Sequence, residues 1–142
     1  MQIKSILLPV DGSIYSDHAT EYAVYLAKLT GARITGVCCH EWRKYRQDVV
    51  ELLVKELQVN VEKRAAKILE KSAKIIKEAG IECTCRTVSG EPGKVLVEMA
   101  KSKEFDLIIM GSHGHSEIIG LCLGSVTLKM LRTIHCPVMV VS

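Results

Sequence analysis

The stretch Leu107-Ile108-Ile109-Met110-Gly111-Ser112-His113-Gly114, followed after nine residues by Gly124-Ser125, decides the fold of this chain. Its first four residues are apolar, and this run has the length of a short buried parallel strand. The following segment, 126–133, has a helical pattern. A glycine-rich turn between a strand and a helix N-terminus suits an anion, because glycine lets backbone N–H groups approach and the helix start adds a partial positive charge. The alternative is a loop that needs glycine only for tight turns.

Strands and helices alternate along the rest of the chain. The apolar patterns predict strands at 3–10, 33–39, 81–88, 107–110 and 137–141, and helices at 16–30, 49–79, 93–103 and 126–133. In the long second helix, apolar residues from Leu52 to Ile76 are expected to lie on one broad buried side. This alternation predicts an α/β fold, a three-layer, doubly wound, Rossmann-like sandwich with a five-stranded parallel sheet of order 3-2-1-4-5.

Composition limits the class of protein. The 142 residues predict a single domain over 1–142, and 48% hydrophobic with 25% charged residues is ordinary for a globular protein. A net charge of only +3 gives no support for nucleic-acid binding. No apolar stretch is long enough to cross a bilayer and no secretory leader is expected, so the prediction is a cytoplasmic protein without membrane partners.

The six cysteines do not form a Cys-x-x-Cys motif. Adjacent or alternate cysteines in a strand do not present tetrahedral metal geometry. We therefore expect reduced, mostly buried thiols.

The predicted sheet brings two unusual loops together. Strands one and four are neighbours, and the connections reverse direction between them, which opens the crevice where ligands bind in such sheets. Asp11-Gly12-Ser13 follows strand one, and the glycine loop follows strand four. The Asp11 carboxylate could accept ribose hydroxyl groups or hold a metal ion through water, or it could form an Asx turn with Gly12. Ser13 and Ser16 are alternative caps of the first helix, and Ser125 is a candidate cap of the last helix.

The glycine loop is not a P-loop, because Gly124 is followed by Ser125-Val126 rather than by lysine, and it lacks the G-x-G-x-x-G spacing. Its spacing, G-x2-G-x9-G-S, resembles the signature of the universal stress protein family. The resemblance extends to segments 6–13, 21–27 and 136–141. It implies binding of ATP or AMP, with or without Mg²⁺ or Mn²⁺, a regulatory or stress-response role, and a homodimer formed by antiparallel pairing of the final strands.

The resemblance also implies which residues contact the nucleotide. The adenine base would lie beside backbone groups near Cys38, and the glycine loop would contact the ribose and phosphates, with Met110 against the base or in the core. The expected site residues are Pro9, Val10, Asp11, Ser13, Cys38, Met110, Gly111, His113, Gly114, His115, Gly124, Ser125 and Val126. ATP-binding relatives usually carry arginine or lysine after the second glycine, where this chain has His115. Because histidines are largely neutral above their ordinary pKa, Coulombic help for a triphosphate is reduced.

Three functions are compatible with these residues. The first is a nucleotide-binding regulatory protein, favoured by the glycine framework and Asp11. The second is a dimeric interaction module with a vestigial pocket, favoured by the loop's few basic residues. The third is a slow ATP hydrolase, although the sequence has no strong catalytic constellation, so we do not expect an efficient enzyme.

Overall fold

The computed structural model describes residues 1–41, 51–114 and 123–142. Within these ranges the strands are β1 (Ser5–Pro9), β2 (Arg33–His40), β3 (Cys83–Ser89), β4 (Leu107–Gly111) and β5 (Val138–Val141). The helices are α1 (Ile14–Thr30), α2 (Glu51–Glu78), α3 (Pro92–Lys101) and α4 (Ser125–Arg132). The observed ends differ from the predicted ones by at most two residues wherever both lie in described segments.

The sheet confirms the predicted topology. Its order is β3-β2-β1-β4-β5, and each neighbouring pair is parallel. The central strand β1 pairs with β2 on one side and with β4 on the other. The loops that follow β1 and β4 therefore lie side by side at the carboxyl edge of the sheet.

Local signals fix both ends of α1. The Ser13 hydroxyl oxygen accepts the Ser16 N–H at 3.2 Å, which makes Ser13 the N-cap. At the other end, Gly31 adopts a left-handed conformation (φ 75°) and its N–H donates to the Ala27 carbonyl at 2.8 Å. Only glycine adopts this conformation without steric cost, so the helix ends there.

Two hydrophobic layers cover the sheet. Leu8 and Ile6 belong to a cluster packed beneath α1 and α2, whereas Leu7 belongs to a cluster packed with α3 and α4. All three side chains are fully buried. Consecutive strand residues thus enter opposite layers, as expected for a sheet covered on both faces.

The first half of α2 departs from the predicted buried side. Leu52 is 69% exposed and Leu57 is 44% exposed, whereas Ala65 and Leu69 are buried on the sheet. Helical periodicity identifies an apolar stripe but does not indicate how far the sheet beneath it extends. Among the described residues, no helix combines the length and apolarity that a membrane crossing needs.

The cysteines are less buried than predicted. Of the described ones, Cys38 is buried, Cys85 is exposed, and Cys39, Cys83 and Cys136 are intermediate; all are free thiols. The expectation of mostly buried thiols is wrong because β3 is an edge strand whose side chains largely face solvent. Residue 122 lies outside the described segments.

Candidate functional site

The loop after β1 is a hydrogen-bonded turn. The Asp11 carboxylate oxygen Oδ1 accepts the Ser13 N–H at 2.9 Å, and Gly12 between them has φ 84°. This is the Asx turn that the sequence left as an alternative to a ligand role. The two roles are compatible, because Oδ1 alone serves the turn and Asp11 also lines the cavity described below.

Gly111, at the end of β4, lies against the first turn of α1. A Cβ atom built on Gly111 would lie 2.7 Å from the Tyr15 Cβ and 2.9 Å from its carbonyl carbon. No real side chain fits so close to backbone atoms. Gly111 is therefore required by helix packing as well as by any ligand, and its presence alone does not distinguish the two.

The end of β4 is also tied to α4 and β5. The Thr127 hydroxyl, on α4, donates to the Gly111 carbonyl at 2.9 Å. The Ser112 carbonyl accepts the Gly124 N–H at 2.8 Å, and the Ser112 N–H donates to the Val141 carbonyl at 2.7 Å. These bonds hold the beginning and end of the glycine loop together.

Helix α4 begins at Ser125, with Gly124 as its N-cap. The suggestion that Ser125 caps this helix is therefore wrong: Ser125 is its first residue, and Gly124 provides no side-chain cap. A helix start of this kind presents backbone donors and the positive end of the helix dipole. Val126, one residue further, reaches the cavity.

A cavity opens where these loops meet. It has about 570 Å³ of free space when the open mouth is counted. Its described lining residues are Pro9, Val10, Asp11, Ser16, Val37, Cys39, Pro92, Leu96, Met110, Gly111, His113, Gly114, Val126 and Thr127. The lining is mainly apolar, with polar groups from the loops after β1 and β4.

The cavity contains little charge. Among its described lining residues, Asp11 is the one carboxylate, His113 is the one histidine, and there is no lysine or arginine. The His113 ring lies 5.2 Å from the Tyr15 ring, centroid to centroid, and its Nδ1 is 2.8 Å from the Ser112 hydroxyl oxygen. Burial, with a smaller contribution from Cys38, raises the pKa of Cys39 to about 11, so this lining thiol is neutral at pH 7.

An ion-pair cluster lies at Glu91, the residue before the lining residue Pro92. Glu91 accepts contacts from Lys94 at 3.0 Å and from Lys129 at 3.5 Å. The hydrogen bond from Lys94 is the main reason that the pKa of Glu91 is lowered. One carboxylate thus already partners both ammonium groups.

Comparison with known proteins identifies the family of this chain. The model of the universal stress protein family matches residues 2–142. The chain belongs to the universal stress protein family.

Individual relatives cover nearly the whole chain. Universal stress protein YxiE of Bacillus subtilis is 30% identical over 152 aligned residues, which cover 96% of this chain and 97% of YxiE. The solved structure of MJ0577, a universal stress protein of Methanocaldococcus jannaschii, superposes with a TM-score of 0.87 at 28% identity, over 99% of this chain and 96% of that one. A universal stress protein crystallised with cAMP superposes with a TM-score of 0.75 at 27% identity, over 100% of this chain and 99% of that one.

Eight of the residues predicted from the family resemblance line the cavity: Pro9, Val10, Asp11, Met110, Gly111, His113, Gly114 and Val126. Gly124 and Ser125 lie at the adjoining helix start rather than in the lining. His115 falls outside the described residues. Ser13 does not line the cavity, because its hydroxyl is buried as the cap of α1.

Cys38 does not line the cavity through its side chain. It is buried with the α1 and α2 layer, whereas its neighbour Cys39 packs with the α3 and α4 layer and lines the cavity. Val37 lines it as well. Residues two apart in a strand face the same side, so Val37 and Cys39 share a face of β2. This alternation could have identified Cys39 from the sequence. Pro92 and Leu96 were also missed, because they belong to α3, whereas the sequence pointed only to the loops after β1 and β4.

Proposed function

We propose that this universal stress protein binds an adenine nucleotide in the cavity between the loops after β1 and β4, and acts as a regulatory, stress-response protein. The observation that carries the proposal is the convergence of both loops on one open cavity at the point where the sheet's connections reverse. Ligands bind at this point in open α/β sheets. The cAMP complex of a relative with 27% identity supports the same ligand class.

The lining offers different chemistry for each part of a nucleotide. Val37, Leu96 and Met110 provide an apolar surface for a base. The Asp11 carboxylate can accept ribose hydroxyls through Oδ2, because its Oδ1 serves the turn. Phosphate would lie against the backbone at Gly111 and the start of α4, where a helix N-terminus favours an anion.

The low positive charge of the cavity favours nucleotides with one phosphate. No lysine or arginine is among its described lining residues, and Lys94 and Lys129 nearby are engaged by Glu91. A triphosphate adds negative charge that these groups do not neutralise. We therefore expect AMP and cAMP to bind more tightly than ATP.

Mg²⁺ or Mn²⁺ would have to enter with the nucleotide. Among the described residues no group of three or more His, Cys, Asp or Glu could hold a metal ion. Asp11 is the one described carboxylate in the lining, and Mg²⁺ is commonly held by one carboxylate together with substrate phosphates. Asp11 therefore fits a metal that accompanies ATP, but not a resident metal centre.

Two substitutions of the same kind test the location of the nucleotide. Cys39→Tyr places a ring in the cavity, whereas Cys85→Tyr places the same ring at an exposed position of β3 that does not line the cavity. Calorimetry should show that Cys39→Tyr binds AMP about tenfold more weakly or worse than the wild type. The tyrosine ring would occupy space that the nucleotide needs, and overpacking of this kind costs about 1–3 kcal/mol. Cys85→Tyr should bind like the wild type. Equal affinities in all three proteins would reject this location, and absence of nucleotide binding by the wild type would reject the function.

We further propose a homodimer formed through β5. This strand is a sheet edge, and Val138, Met139 and Val140 are only partly buried. An unprotected apolar edge is a template for pairing with a second chain. Sedimentation of the wild type at tens of micromolar should show a dimer, and a monomer would reject this proposal.

A further inference from the structure

Two cysteines on the edge strand β3 lie close together outside the nucleotide cavity. Cys83 and Cys85 are separated by one residue, so they share a face of the strand. Their sulfur atoms are 3.9 Å apart. Cys85 is exposed and Cys83 is partly buried against the α1 and α2 layer.

A disulfide does not fit this pair without distortion of the backbone. Residues two apart in a strand are separated by about 6.6 Å, and their Cβ atoms run parallel, whereas a disulfide needs Cβ atoms about 3.5–4.5 Å apart. The pairing of Cys83 with Ile34 and of Cys85 with Gly36 on β2 holds the strand extended. The two sulfurs can meet a shared ligand but not each other.

A metal ion fits between the sulfurs as they stand. Metal–thiolate bonds are about 2.3 Å long, so a separation of 3.9 Å corresponds to a sulfur–metal–sulfur angle of about 116°. Small side-chain rotations would open the angle toward linear. Gly36, the residue paired with Cys85, has no side chain, and the Leu69 side chain lies over it.

The number of ligands selects the kind of metal. Zinc sites take three or four protein ligands and iron–sulfur clusters usually take four, whereas the described residues contain no group of three or more His, Cys, Asp or Glu suited to a metal. Soft thiolates also select Cu(I), which accepts fewer ligands. We propose that Cys83 and Cys85 form a two-thiolate site for a soft monovalent cation, with Cu(I) as the biological candidate.

The binding step balances without an oxidant. Two S–H bonds break, two S–Cu bonds form, two protons pass to solvent, and no oxidation state changes. The bound unit carries one negative charge. Burial, followed by the neighbouring Cys85, raises the pKa of Cys83 to about 11, and the positive charge of Lys77 on α2 opposes this shift. The Lys77 ammonium would therefore balance the bound unit's charge, while exposed Cys85 gives the ion a path from solvent.

Competition with a chromophoric Cu(I) chelator tests the site in the reduced, full-length protein without oxygen. The wild type should take up one tight equivalent, and X-ray absorption should show two sulfur neighbours at the copper. Cys83→Ser and Cys85→Ser should each lower the affinity by at least about 100-fold, because loss of one linked ligand removes the chelate effect. Cys136→Ser, which removes a half-buried thiol elsewhere, is the matched control and should bind like the wild type.

Two results would overturn the proposal. One is a Cu(I) affinity of Cys85→Ser that equals that of the wild type. Because Cys85 is exposed, this variant should fold, so the result is decisive even if Cys83→Ser does not fold. The other is a wild-type protein that binds no copper tightly and that forms a Cys83–Cys85 disulfide with oxidised glutathione. The disulfide would be seen as the loss of two hydrogens in the peptide mass. The second result would show that the strand permits the bond that its extended geometry argues against.

Discussion

The bond between Thr127 and Gly111 is the most direct test of how the glycine loop is held. Thr127 is 2% exposed, and its hydroxyl donates to the Gly111 carbonyl at 2.9 Å across 16 residues of sequence. Thr127→Val removes the donor and nearly preserves the volume. The loss of one buried hydrogen bond, with its acceptor left in place, should reduce the free energy of unfolding by about 1–2 kcal/mol.

A matched control lies at the other end of the same helix. The Thr133 hydroxyl donates to the Lys129 carbonyl at 2.8 Å, but this bond is exposed. Water can replace it, so Thr133→Val should change the free energy of unfolding by less than about 0.5 kcal/mol. Urea unfolding of the three proteins measures the difference, and the denaturant slopes should be equal. The melting temperature of Thr127→Val should fall by roughly 3–6 °C.

The same variant connects stability with the proposed site. Thr127 lines the cavity, and its bond fixes the start of α4 relative to the end of β4. AMP affinity should therefore decrease in Thr127→Val and remain unchanged in Thr133→Val. If Thr127→Val unfolds at the same urea concentration as Thr133→Val, the bond does not hold the loop and the reasoning fails.

Three further predictions concern packing, thiol chemistry and assembly. Gly111→Ala should destabilise the fold by about 1–3 kcal/mol in urea unfolding, because its Cβ would lie 2.7 Å from an atom of α1; an unchanged midpoint would contradict the close contact. Iodoacetamide at pH 8 should label Cys85 before Cys38 and Cys39, since burial raises the pKa of the latter two thiols to about 11 and leaves little thiolate. The labelling rates of Cys38 and Cys39 should keep rising as the pH is raised to about 11, and equal labelling of all three thiols in peptide maps at pH 8 would contradict the prediction. Val140→Pro should give folded monomers in sedimentation while Val140→Ala remains dimeric, because proline removes an N–H that faces away from β4; dimeric Val140→Pro would exclude pairing through that edge.

The sequence predicted the sheet order because handedness and alternation leave few arrangements of five strands and their crossovers. It also predicted that the loops after β1 and β4 would lie together, and the cavity between them includes Asp11 and Gly111. These conclusions depend on topology, which tolerates errors of a few residues at element ends. They did not require knowledge of any side-chain direction.

Side-chain direction accounts for most of what the sequence reasoning missed. Cys38 and Cys39 are adjacent, and only the register of β2 decides which one reaches the cavity. Ser13 and Ser16 are both suitable caps, and the choice between them depends on where α1 begins. In α2, the helix pattern did not indicate that Leu52 would be exposed.

Gly111 shows why a glycine motif indicates geometry before it indicates a ligand. The backbone of α1 lies so close to Gly111 that any Cβ would collide with it, with or without a nucleotide. That same close contact brings the start of α1, and with it the Asp11 turn, beside the end of β4. Thr127 then fixes the Gly111 carbonyl from the other side. The packing requirement and the proposed binding site therefore depend on the same contact, and a substitution at Gly111 should disturb both together.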